Sequence, residues 1–94
     1  MELLNKNLLA DYMQKHADSV KPLTSWIKLI QLAQWKTPQD IKNAIRSADF
    51  LSGNRVIFNI GGNKHRLVAV VVYVSGNVYV QWIGTHAEYS KIKF

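Results

Sequence analysis

The chain has 94 residues, enough for one small domain with one apolar core. Hydrophobic residues make up 48% and charged residues 19%, a globular balance rather than a disordered one, and the absence of cysteine excludes disulfides and thiolate metal sites. The net charge of +6 points to an anionic partner, nucleic acid first, with a soluble basic protein of no such function as the plain alternative.

Residues 1–4 fit either a short edge strand or an irregular start. They do not have the layout of a signal peptide, and the longest apolar run is far too short for a membrane span, so a cytoplasmic protein with no membrane partner is expected. Asn7 is a candidate N-cap for a helix over residues 8–17, with Leu8, Leu9, Tyr12 and Met13 on one face. That face serves as core or as part of a partner interface. Pro22 suits the first turn of a second helix reaching about Trp35. Its apolar stripe is Leu23, Trp26, Ile27, Ile30 and Ala33, widened by Leu29 and Leu32, and such a stripe lies on a sheet. Thr37-Pro38-Gln39-Asp40 joins a capping side chain, a proline at the first helical position and an acid in the first turn, and so opens a short helix to about Ser47. Residues 47–54 read as a connection.

The remainder reads as a three-stranded antiparallel meander. Its first strand is Arg55–Ile60. Gly61-Gly62-Asn63 accepts the positive φ that a hairpin requires, and a second strand follows over about 64–74. The apolar run from Leu67 to Val74 suits a central strand covered on both faces. After Ser75-Gly76-Asn77 a third strand runs over 78–83, closed by Gly84. No repeat or linker divides the chain, so residues 1–94 are expected to form a single domain. Helices first and a meander second give an α+β fold, with N-terminal helices packed on a small antiparallel β-sheet.

The sheet half is also the basic half: from Phe50 onward there are five lysines and arginines against one acid, Glu88. No metal-ligand cluster is spelled out, since His65 and His86 lack supporting ligands at a suitable spacing, and no cofactor is implied. No phosphate-binding glycine loop is present, because Gly61-Gly62-Asn63 joins strand to strand. What remains suits RNA. Internal cleavage without a metal needs a base for the 2′-hydroxyl proton, an acid for the departing 5′-oxygen and a cation for the charge that builds on the phosphate. Acid–base groups contribute ~10²–10⁴-fold each. A well-placed donor to the developing charge contributes roughly 2.7–4 kcal/mol. His86 is an imidazole, the side-chain type suited to either proton role. Arg66 offers a planar fork for phosphate and Lys64 a mobile point charge. Tyr89 is a proton donor or a base-stacking ring. Each has a plainer reading: Arg66 as a surface charge, His86 as a helix-start residue, Tyr89 as packing. Lys91 and Lys93 are a basic tail or RNA contacts. Glu88, three residues after Thr85, fits a capping box better than a general base. The tryptophans Trp26, Trp35 and Trp82 read as core or boundary residues, with base stacking as the lesser alternative for Trp82.

At these residues the sequence resembles the HigB-type toxins of bacterial toxin–antitoxin modules, in the RelE/ParE superfamily. The pieces that carry the resemblance are Trp35-Lys36-Thr37-Pro38, Ala48-Asp49-Phe50, the stretch from Arg55 through Phe58-Asn59-Ile60-Gly61-Gly62-Asn63-Lys64-His65-Arg66-Leu67 to Val68, and Gly84-Thr85-His86-Ala87-Glu88-Tyr89. The resemblance spans nearly the whole chain. It implies a RelE-like toxin fold and an mRNA interferase that cuts in the ribosomal A site and so inhibits translation. It also implies a cognate helix-turn-helix antitoxin of the HigA type, with the toxin alone as a monomer or held in a hetero-oligomer. By position, Arg66 matches the superfamily's phosphate-binding arginine on the second meander strand. His86 falls where relatives place a polar residue after the last strand, and Tyr89 where they often place a tyrosine or histidine. Relatives often carry lysines on the first meander strand, where this chain has Ile57 and Asn59. The basic role then passes to Lys64, Arg55 or His65, with Asn63 beside them as an RNA contact. Three rivals share the composition: a gyrase-poisoning toxin of the ParE branch, a non-catalytic nucleic-acid-binding module and an inert partner-binding domain.

Overall fold

The computed structural model describes residues 1–92. The chain runs through strand β1 (Glu2–Leu4), helix α1 (Asn7–Lys15), a 3₁₀ turn at Ala17–Ser19, helices α2 (Val20–Leu32) and α3 (Pro38–Ala44), strands β2 (Asp49–Leu51), β3 (Arg55–Ile60), β4 (His65–Val72) and β5 (Asn77–Thr85), and helix α4 (His86–Ser90). The strands form one sheet in the order β1-β5-β4-β3-β2. The meander is antiparallel as its turns demand, with β4 at the centre. The first residues do form an edge strand, and β1 runs parallel to β5, so the sheet is mixed. The expected connection over 47–54 contains β2, which pairs antiparallel with β3 and forms the other edge. The architecture is α+β.

Helices and sheet enclose one apolar core. From the helical half come Leu9, Leu23, Trp26, Ile30, Trp35 and Ile41; from the sheet come Val56, Phe58, Ile60, Leu67, Ala69, Val71, Val78 and Val80. Phe58 is its centre, with the Trp26 ring at 5.3 Å and the Trp35 ring at 6.4 Å. Helix α2 is shorter and its buried stripe narrower than the sequence suggests. Leu29 and Leu32 are 38% and 78% exposed, because only the Leu23–Trp26–Ile30 side meets the sheet. Asn7 is the first residue of α1 rather than its cap; Lys6 takes the cap position without a side-chain bond. Just before it, Asn5 adopts φ 64° and donates from Nδ2 to the Val80 carbonyl at 2.8 Å, tying the start of α1 to β5. Helix α3 opens as expected: Asp40 N donates to Thr37 Oγ1, and the Asp40 carboxylate accepts from Thr37 N at 3.1 Å. No helix among the described residues is long and apolar enough to cross a membrane.

Candidate active site

The site lies where β4 begins and β5 ends. Gly61 and Gly62, at φ 64° and 71°, turn the chain from β3 into β4, and the resulting register sets Ile60 opposite His65 and Asn59 opposite Arg66. On the other side of β4, Arg66 pairs with Gly84 and His65 with Thr85. A bulge fixes which face these residues use. Val68 pairs with Trp82 but Ala69 pairs with Val80, so Gln81 is the extra residue. Val78 and Val80 face the core, and strict alternation would carry Trp82 inward too. The bulge reverses the phase: Ile83 packs against the core, and Trp82 and Gly84 share the face of Arg66.

Helix α4 closes this end of the sheet. Thr85 Oγ1 accepts from Glu88 N at 3.1 Å, and the Glu88 carboxylate accepts from Thr85 N at 2.8 Å, which is the expected capping box. That backbone N–H and the Thr85 hydroxyl hold the Glu88 carboxyl below its ordinary range. Oε1 is engaged at the cap, and a carboxyl held low is a poor proton acceptor for chemistry. His86 is the first residue of α4, and its backbone N–H donates to the Lys64 carbonyl at 3.1 Å, so the β3–β4 turn and the start of α4 are fastened together. Three residues on, the Tyr89 ring lies under the Arg66 guanidinium, 4.8 Å from its carbon. Arg66 Nε and Asn59 Oδ1, neighbours on one rung, are buried with no hydrogen-bond partner among the described residues. Among the described residues no carboxylate pairs with Arg66.

The structure therefore brings Lys64, Arg66, His86 and Tyr89 to one end of the sheet. Asn63 and Lys64 are exposed in the turn, and Lys91 is exposed after α4. Arg55 stands apart. Its partner Val70 is four residues beyond Arg66 along β4, roughly 13 Å away. The Arg55 side chain donates to the Ser52 carbonyl at 2.8 Å. Lys93 lies outside the described residues. His65 is a correction. Expected as an RNA contact, it is 3% exposed and turned toward the helices, where Tyr12 Oη meets Nδ1 at 2.6 Å and an Asp18 carboxylate oxygen meets Nε2 at 3.2 Å. Burial and the two carboxylates nearby push the Tyr12 hydroxyl up to about 12, so it keeps its proton. His16 stacks on Tyr12 at 4.1 Å and completes an aromatic group behind the site. Sequence reasoning gave Asn59 and Gly84 no role at the site and read Trp82 first as a core or boundary residue; the positions of all three depend on register and on the bulge. Among the described residues no three His, Asp or Glu side chains come together to hold a metal ion.

Residues 19–92 match the family model described as the RelE-like toxic component of a toxin–antitoxin system. The chain is 30% identical over 91 residues to the mRNA interferase toxin HigB of Escherichia coli strain K12, an alignment covering 95% of this chain and 88% of that protein. The same figures hold for the mRNA interferase HigB of Shigella flexneri. The mRNA interferase HigB of Escherichia coli O6:H1 is 27% identical over 94 residues, covering 98% of this chain and 91% of that one. With the meander, the cationic end of its sheet and the capped helix beside it, these matches place the chain in the HigB toxin family, the RelE-like toxic components of toxin–antitoxin systems.

Proposed function

We propose that residues 1–94 form a single toxin domain, an endoribonuclease that cuts mRNA in the ribosomal A site, inhibits translation in the cytoplasm and is neutralised by a helix-turn-helix antitoxin of the HigA type. The observation that carries the chemistry is Arg66. It is a permanent cation on the central strand, set on an aromatic ring and unpaired with any carboxylate among the described residues, with a histidine on the adjoining helix and a lysine in the adjoining turn. A phosphodiester is the ligand that such an arrangement suits.

In this reading the 2′-oxygen of the RNA attacks its own phosphorus, the bond to the 5′-oxygen breaks, and a 2′,3′-cyclic phosphate and a 5′-hydroxyl result. Arg66 holds the phosphate as its charge builds, and Lys64 adds a second positive charge from the turn. His86 moves the proton, and Tyr89 supports the guanidinium. Asn63, Lys91, Lys93 and the distant Arg55 contact flanking nucleotides. No metal or cofactor takes part. The set has no tight base–acid pair, so the ribosome supplies orientation, which is worth up to ~7–11 kcal/mol.

Primer extension on a reporter mRNA in a purified translation system tests this reading, with wild type, Arg66→Ala and His86→Ala. Cuts that need ribosomes, keep the reading frame and vanish in both variants are the expected result. Cuts that persist in both variants move the chemistry to other residues. No cuts, with linearised plasmid in a gyrase assay, would establish the ParE-like reading instead.

A further inference from the structure

Gly84 and Trp82 have no part in the chemistry above, yet both are built into the site. Gly84 is buried in β5 directly opposite Arg66. Its backbone does not require glycine, since it is absent from the positive-φ residues. Space is the reason. A Cβ at Gly84 would stand 2.5 Å from Cη2 and Cζ2 of Trp82 and 3.1 Å from Oε1 of Glu88. The outer edge of the indole thus occupies the room that a side chain would fill. The Trp82 ring lies 6.0 Å from the Tyr89 ring, tilted by 57°, and Tyr89 carries the Arg66 guanidinium. Gly84, Trp82, Tyr89 and Arg66 form a chain of contacts that begins and ends on one cross-strand pair. Among the described residues Arg66 Nε has no hydrogen-bond partner and no carboxylate pairs with the guanidinium.

We infer that Gly84 is a positioning residue for Arg66: by leaving room for Trp82 it seats Tyr89 beneath the guanidinium, so that an RNA phosphate meets an arginine oriented by stacked rings and not neutralised by an acid. The inference rests on the reading of Arg66 as the phosphate clamp. A carboxylate would orient a guanidinium equally well, but it would cancel the charge that phosphate needs. An aromatic face orients it and leaves the charge in place. Any β-carbon at residue 84 displaces the indole, and Tyr89 loses the surface it leans on.

The test compares wild type, Gly84→Ala, Trp82→Leu, Arg66→Ala and the Gly84→Ala/Arg66→Ala double variant. Two readouts are used besides thermal melting. One is the NMR position of the Arg66 Nε–H and Cδ–H signals, which the Tyr89 ring shifts upfield in wild type. The other is affinity for a 2′-O-methyl RNA oligonucleotide that cannot be cut. Gly84→Ala and Trp82→Leu should each move the Arg66 signals toward their free-chain positions. Each should weaken RNA binding by roughly 2- to 30-fold, the range of a lost cation–π contact. In the Arg66→Ala background Gly84→Ala should add no further loss, because the two act through one interaction. Arg66 signals that stay in place in both single variants, or losses from Gly84→Ala and Arg66→Ala that multiply, would overturn the inference. Trp82→Leu carries the test if Gly84→Ala does not fold. If wild type neither binds nor cuts RNA, the functional reading fails, and the NMR signals still decide whether Gly84 sets the arginine.

Discussion

The guanidinium carbon of Arg66 lies 4.8 Å from the centre of the Tyr89 ring, and that ring takes the place where an ion-paired arginine would have an acid. Arg66→Ala should lower mRNA cleavage by ~10²–10³-fold, the usual loss for one donor to a developing oxyanion. Arg66→Lys should recover only part of it, since the point charge returns without the planar fork. His86→Ala should cost ~10²–10⁴-fold in turnover while RNA affinity stays close to wild type. Single-turnover cleavage and oligonucleotide binding, measured side by side, separate the two residues. A loss of affinity equal to the loss of turnover in His86→Ala would make His86 a binding residue.

Tyr89 offers a ring and a hydroxyl, and the geometry favours the ring. Tyr89→Phe keeps the face under Arg66, so it should retain cleavage within a few-fold. Tyr89→Leu removes the face, and a cation–π contact of about 0.5–2 kcal/mol corresponds to a loss of roughly 2- to 30-fold. If Tyr89→Phe fell as far as His86→Ala, the hydroxyl would be the proton donor instead.

Much of the fold could be read from local chemistry. The glycine turns, the Arg55–Ile60 alternation and the threonine caps at Thr37 and Thr85 are short-range signals, and each forms the expected element. What escaped depends on contacts between distant residues. The pairing of β1 with β5 joins the two halves of the chain, and three residues from Glu2 to Leu4 carry no pattern of their own. The β4 run is apolar at nearly every position, so it offers no alternation to say which face takes His65. The bulge at Gln81 turns Trp82 outward against a period-2 expectation, and no glycine or proline marks it. The site residues on turns and caps were therefore legible, whereas Gly84 and Trp82 became visible only with the register.

Tyr12 ties α1 to β4 through His65, and the bond is buried. Tyr12→Phe leaves the buried His65 Nδ1 without its hydrogen-bond partner, which costs about 1–3 kcal/mol. Urea unfolding should show that loss at neutral pH. Burial pushes the hydroxyl up to about 12, above its ordinary value. A group whose pKa is raised by folding contributes its full stability below the unfolded value, about 10 for tyrosine, and loses it as pH rises toward the folded one. Wild type should therefore weaken between about pH 10 and 12. Tyr12→Phe should show less of that alkaline decline; an unchanged decline would assign it to other groups, such as Tyr73, whose hydroxyl is also pushed up by burial.

The two capping carboxylates give the opposite sign. Asp40 accepts from Lys36 N at 2.9 Å and from Thr37 N at 3.1 Å, and Glu88 accepts from Thr85 N at 2.8 Å. These backbone N–H groups favour the charged form and hold both carboxyls below their ordinary values. Groups with depressed folded values add stability above the ordinary carboxyl range and lose it as pH falls through that range toward the folded values. The melting temperature followed by circular dichroism should fall as the pH drops below about 5. Asp40→Asn with Glu88→Gln keeps a hydrogen-bond acceptor at each cap but removes the titration. The double variant should be less stable than wild type at pH 7 and should lose less on acidification. Because Glu88 also fixes α4, Glu88→Gln alone should loosen the helix that carries His86 and Tyr89, so cleavage should decline together with helix stability. Cleavage that collapsed while α4 stayed intact would make Glu88 a participant in the chemistry instead of a cap.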